Sequence, residues 1–354
     1  METDYRRDGT KLGQNVSFAF HRGDFFLRVS KGWQSRLDRF VRLMFGDPFI
    51  TPTRPEMGMY VAHATSLKSA DLSRQVGVAI YSDSHDLLVT GCNEVPSVFG
   101  GMFWEGDNRI DTRDWIHGRD FNAVKKIDII DELIEYLKTE GIDFSPLKVD
   151  SGKKVAEELI SGDRSEQFGE IRIAILLEFG RVVHAEMNAI CDAAGRGIPI
   201  KNGILYSTTF PCHMCARHIV ASGIDRVCYI EPYPKSLAIE IYKDEIALEK
   251  PTANQIYFEG FEGIAPNLFS KSFTAPVRKI ALDLHENGLS LLPSLSSLYF
   301  RNRMLSVSWL LQHWRLFHML LTTTKLENSK HNCFVTRKLS TNTGLINVNL
   351  FTES

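Results

Sequence analysis

Two short segments, His184-Ala185-Glu186 and Pro211-Cys212-His213-Met214-Cys215, constrain this chain more than its length does. A histidine and a Cys-x-x-Cys pair are the donors that hold zinc by three protein ligands and leave the fourth tetrahedral position to water. Zinc lowers the pKa of that water to about 7, so a nucleophile exists at neutral pH. Such chemistry also needs a carboxylate that is not a ligand, to carry protons to the atoms that change bonding. Glu186, two residues beyond His184, occupies that place. The flanking sequence says which elements carry these residues. HAEMNAICDAAGRG predicts a helix over 184–194, with Gly195 and Gly197 as stop signals. GILYSTTF reads as a buried strand, and Pro211 suits the first turn of a second helix over 212–221 that ends at Gly223. IDRVCYI then reads as another strand. Both ligand sets therefore fall at helix N-termini, and Cys212 and Cys215 share a face. Positive helix ends there favour thiolate and hydroxide. Taken singly, the pieces leave other readings open. Cys-x-x-Cys also fits a structural zinc site closed by His213, His218 or Cys191, and Glu186 alone also fits a helix-dipole partner.

Together the two segments form the H-x-E…P-C-x-x-C arrangement of zinc nucleobase deaminases. HAEMNAI and STTFPCHMCARHIVASGIDRVCYIEPYPKS resemble the deoxycytidylate deaminase branch of the cytidine deaminase superfamily. SADLSRQVGVAI (69–80) and GCNEVP (91–96) resemble that branch's opening strands. FGDPFITPTR (45–54), SLKSADLSRQVG and the EPYPKS ending narrow the resemblance to the bacterial anti-phage dCTP deaminases, over residues 40 to 270. The resemblance implies one zinc ion on His184, Cys212 and Cys215, with Glu186 as the catalytic proton carrier. It implies hydrolytic deamination of a deoxycytidine nucleotide, dCTP or dCMP, and a role in depleting dCTP during phage infection. It also implies a homo-oligomer, and a substrate contact at Asn93, which reads equally as a turn residue before Pro96. Thr209, at a strand end, is a further candidate substrate contact. Tyr229 and Tyr233 read either as stacking partners of the base or as core aromatics.

The expected fold is α/β: a cytidine deaminase-like three-layer α/β/α sandwich. Its mixed central sheet uses strands near 76–82, 87–92, 203–209 and 225–230. Three units are expected: an amino-terminal remnant and linker over 1–54, a deaminase domain over 55–270 with an insertion at about 104–175, and a divergent or disordered tail over 271–354. Relatives usually begin with a P-loop kinase-like domain; no G-x-x-x-x-G-K-[ST] occurs here, so a truncated or split member is expected. Inside the insertion, residues 122–141 carry apolar side chains at 127, 130, 133, 134 and 137, an amphipathic helix expected to pack on the core. WEGDNRIDTRDWIHGRDF (104–121) mixes arginines with aspartates. Arg113 is its candidate clamp for substrate phosphates and an Asp its candidate holder of Mg²⁺ on a triphosphate, against a solvated loop of surface ion pairs.

Charge is nearly balanced, 41 basic against 43 acidic residues, so no basic excess points to nucleic acid as substrate. An editing deaminase acting on tRNA adenosine or single-stranded DNA would need such a groove beside its pocket. A silent zinc-stabilised regulator would not need Glu186, and a regulatory RNA stays open. Six cysteines in 354 residues do not make a disulfide framework, and the polar start has no signal-peptide segment, so a cytoplasmic chain is expected. Residues 304–321 are apolar but broken by His313, Arg315 and His318, a weak membrane span; the change of character after Phe269 suggests a frameshift.

Overall fold

In the computed structural model the described residues are 20, 22–142, 151–162, 165–168, 171–274, 332–339 and 346–352. The elements begin with β1 (Gly23–Arg28), α1 (Trp33–Met44), α2 (Arg54–Ser66), β2 (Gly77–Tyr81) and β3 (Leu87–Cys92). The stretch expected from sequence as an insertion contributes α3 (Phe121–Thr139) and α4 (Gly152–Ser161). Then follow α5 (Ala185–Arg196), β4 (Ile204–Thr209), α6 (His213–Ser222) and β5 (Arg226–Glu231). β6 (Ile246–Ala247), β7 (Ile256–Gly260), β8 (Gly263–Ile264), α7 (Pro266–Phe273), β9 (Asn332–Leu339) and β10 (Ile346–Thr352) complete the order.

A six-stranded sheet of order β3-β2-β4-β5-β7-β6 lies at the centre. β2 runs antiparallel to β3 and β4, whereas β4, β5, β7 and β6 run parallel. The mixture follows from the connections. A short turn through His85 closes the β2–β3 hairpin, while the α6 crossover returns the chain to lay β5 parallel to β4. Register sorts the side chains by face. Val89, Ile80, Leu205, Val227 and Phe258 are paired neighbours across five strands and all join one core cluster, with Ala185, Ala189, Ala216 and Ile219 of α5 and α6. The alternate row, Ala79, Tyr206 and Cys228, faces Met59 and Ala62 of α2. Each such fully buried aliphatic side chain contributes about 2 kcal/mol, and a one-residue slip would exchange the two faces. The expected three-layer α/β/α sandwich is the observed one.

The four expected strands are present, and β6 and β7 extend the sheet beyond them. The helix expected over 184–194 runs on to Arg196, because Gly195 stays helical and Gly197 takes the left-handed cap at φ 67°. α3 differs from expectation in its partner: Ile130 and Ile134 pack with Ala156 of α4 and with Phe168, in a cluster separate from the sheet's core.

A buried carboxylate, that of Glu56, ties loops to this frame. Glu56 closes a capping box with Thr53 at the start of α2. Its oxygens also accept from both terminal nitrogens of Arg39 at 2.8 Å and from the Ile264 N–H at 2.9 Å. That one side chain joins α1, α2 and β8. β8 pairs with β1, against whose other edge the backbone of β9 and β10 forms a hairpin. Among the described residues no helix is long and apolar enough to cross a membrane. The span considered over 304–321 and most of the 271–354 tail lie outside the described residues.

Candidate metal centre

His184 and Cys212 are the N-cap residues of α5 and α6, both in extended conformation, and neither side chain caps its own helix. Imidazole and thiol are therefore not consumed by helix N–H groups and remain available as ligands. Pro211 accordingly precedes the N-cap, one position ahead of the expected first turn, and Cys215 stands at the third helical position. The backbone holds both approaches. Glu94 and Val183 exchange hydrogen bonds at 3.1 and 2.9 Å just ahead of His184. The Phe210 N–H donates to the Glu231 carbonyl at 2.7 Å, and the Ser236 hydroxyl to the Pro211 carbonyl at 2.8 Å. α5 is seated directly on β3: a Cβ at Gly91 would lie 2.4 Å from the Ala185 carbonyl oxygen.

As a result His184 Nδ1 lies 3.3 Å from Cys212 Sγ and 3.4 Å from Cys215 Sγ. The ligand atoms of these three residues lie within 4.8 Å of one another. Tetrahedral zinc with ordinary Zn–N and Zn–S bonds separates such atoms by about 3.6 Å, so the donor set fits in both type and spacing. Among the described residues the group has three members. Of the candidates for a closing ligand, His218 Nδ1 is bonded to the Met214 carbonyl at 2.8 Å and Cys191 is exposed. The hydrogen bond with Cys215, joined by one with His184, holds the Cys212 thiol well below its usual range. Cys215, on the other side of that bond and buried, is pushed up. The bond to Cys212 raises His184. Glu186 is buried, and burial, reinforced by the Cys212 charge, pushes its carboxyl above the usual range.

A cavity of about 240 Å³ opens over this centre, with His184, Glu186 and Cys212 in its wall. Asn93 and Thr209 line it too. The Asn93 amide donates to the Arg74 carbonyl at 2.8 Å and accepts from the Val76 N–H at 2.7 Å, fixing the loop before β2. The Thr209 hydroxyl faces Glu231 Oε2 at 3.4 Å. Arg113 is not among the lining residues: its guanidinium is held by Asp111 at 2.6 Å and lies 3.8 Å from Glu94. Tyr233 lines the cavity, whereas Tyr229 packs edge-on against Phe210 in the core.

Arg74 and Asn122 in this wall were not singled out from sequence, and Asp114 was read only as one of the aspartates of 104–121 that could hold Mg²⁺. Arg74 lies over the Tyr233 ring at 5.3 Å and pairs with Glu231 at 3.2 Å. Asp114, paired with Arg181 at 2.8 Å, and Asn122 come from the insertion. No sequence signal marks Asn122: it is buried on α3, but it stands eight and twelve residues ahead of Ile130 and Ile134, spacings that turn it well away from their face.

Residues 53–231 match the family model described as the cytidine and deoxycytidylate deaminase zinc-binding region. Over 53 residues the chain is 42% identical to ComE operon protein 2 of Bacillus subtilis (strain 168), covering 15% of this chain and 28% of that protein. It is 44% identical over 54 residues to the deoxycytidylate deaminase of Enterobacteria phage T4, again 15% and 28% of the two chains. The matched stretch thus spans less than a third of either relative. Among solved structures, the dCMP deaminase from cyanophage S-TIM5 in complex with dCMP and dUMP is 17% identical with a TM-score of 0.33, over 60% of this chain and 100% of that one.

Proposed function

This chain belongs to the cytidine and deoxycytidylate deaminase zinc-binding family, and from that premise we propose that it hydrolyses a deoxycytidine nucleotide to the deoxyuridine nucleotide and ammonia. The observation that carries the proposal is the buried carboxylate of Glu186 beside the His184–Cys212–Cys215 cluster, in the wall of one cavity. His184, Cys212 and Cys215 hold zinc, which when bound supplies the Lewis acidity that makes water a nucleophile at neutral pH. Glu186 takes a proton from the attacking water and delivers it to ring N3. It then takes the proton of the new C4 hydroxyl and hands it to the exocyclic amine as the C4–N bond breaks, leaving a C4 carbonyl and ammonia. Burial suits the side chain to this work, because it raises the carboxyl's proton affinity toward the working pH.

Asn93 and Thr209 shape the wall through which the base enters, Asn93 by holding residues 74–76 in place. For the phosphates we assign Arg74, a wall residue whose guanidinium lies over the Tyr233 ring, while Arg113 steadies Asp111 and Glu94. We take 55–270 as the deaminase unit. The likeness of FGDPFITPTR and EPYPKS to anti-phage dCTP deaminases supports dCTP as the substrate and pool depletion as the role. Ammonia release from zinc-loaded protein given dCTP, dCMP, cytidine and single-stranded DNA in parallel tests the proposal. Turnover of a deoxycytidine nucleotide, fastest with dCTP, is expected; turnover of single-stranded DNA alone would replace it with an editing activity.

A further inference from the structure

The amide oxygen Oδ1 of Asn122, a residue 9% exposed that belongs to the cavity wall, is buried and has no hydrogen-bond partner. Its orientation is fixed, because Nδ2 donates to the Leu176 carbonyl at 2.8 Å; turning the amide over would set oxygen against oxygen. A buried acceptor left unpaired is costly, and in a binding cavity its natural partner is a donor on the ligand. The surrounding wall defines that donor. Asp114 and Asp120 line it as well, and Asp120 takes up the first free N–H groups of α3, those of Asn122 and Ala123. With Asp114 paired to Arg181 at 2.8 Å and the helix end already capped by Asp120, this part of the wall gives phosphate no open helix N-terminus and suits a neutral hydrogen-bond donor.

A deoxycytidine nucleotide at neutral pH carries two kinds of donor, the exocyclic amine and the 3′-hydroxyl. On the reading proposed above the amine lies at the zinc cluster, which leaves the hydroxyl. We propose that Asn122 Oδ1 accepts a hydrogen bond from the sugar 3′-hydroxyl of the substrate, and that the insertion thereby reads the sugar while Arg74 takes the phosphates. The inference rests on the deaminase reading and names a specificity-determining residue within it.

The test compares a deoxycytidine nucleotide with its 2′,3′-dideoxy counterpart of equal phosphate number, using the zinc-loaded full chain. In the wild type, loss of the hydroxyl should lower kcat/KM roughly tenfold or more. In Asn122→Ala the two substrates should converge, chiefly through a higher KM for the hydroxylated one. Asn122→Ser gives the same comparison if the alanine variant is unstable, and the ratio of substrates within one protein is insensitive to a partly folded sample. Wild-type indifference to the hydroxyl, or variants that keep the full discrimination, would overturn the inference and leave the deaminase reading intact. A wild type inactive on every cytosine nucleotide would remove both.

Discussion

Replacing Gly91 by alanine should damage the metal centre without touching a ligand. The added Cβ would stand 2.4 Å from the Ala185 carbonyl oxygen and 2.6 Å from the Ala189 nitrogen, both backbone atoms of α5. Ordinary contact begins near 3.4 Å, so the helix must retreat from β3 by about 1 Å, and no rotamer relieves the clash. α5 begins one residue after His184 and carries Glu186 in its first turn, so the retreat moves His184 and Glu186 together. A displacement of about 1 Å at reacting groups costs roughly 100-fold in rate. Overpacking against backbone should also cost about 3 kcal/mol, or about 6–12 °C in Tm for a domain of this size. Gly195, in the same helix with open space around its Cβ position, is the matched control. Gly195→Ala should stabilise by about 0.5–1 kcal/mol and leave kcat/KM unchanged. Thermal melts and deaminase kinetics on both variants, at equal zinc content, make the measurement. Gly91→Ala with wild-type Tm and wild-type rate would refute the seating of α5 on β3.

Arg39→Ala should destabilise by about 2–3 kcal/mol in urea titrations, because it strands the buried Glu56 carboxylate with only amide donors. Glu56→Gln in that background should recover part of the loss; a change under about 0.5 kcal/mol for Arg39→Ala would show that the pair does not join α1 to α2. Arg74→Ala should raise KM for the nucleotide by about tenfold while leaving the nucleoside's KM nearly constant. Equal effects on both substrates would instead make Arg74 a brace for Glu231.

The centre was legible in the sequence because its parts are local. Each ligand segment sits at a helix start marked by its own composition, and the strands between them are short apolar runs with clear stops. What escaped was made by distance. β7 is five residues long in an EG-rich stretch, and β8 has two residues that exist as a strand because Glu56 and β1 hold them. The cavity wall was hidden for a similar reason. Asp114 and Asn122 meet residues 176–182 through the tertiary fold of the stretch between β3 and α5, which no local period encodes. Arg113 and Arg74 show how far charge alone can be read. Both are arginines in polar segments, and the neighbours that turn one toward Asp111 and place the other in the cavity wall are set by the tertiary fold.

The central claim is that three residues hold the metal and a fourth, Glu186, moves the protons. Measuring zinc content and ammonia release together on wild type and Glu186→Ala tests it most directly. One zinc per chain in both proteins, with turnover of the deoxycytidine nucleotide in the wild type and none in the variant, is the predicted result. A Glu186→Ala protein that still deaminates, or one that loses its zinc, would contradict the assignment of Glu186 as a proton carrier outside the ligand set.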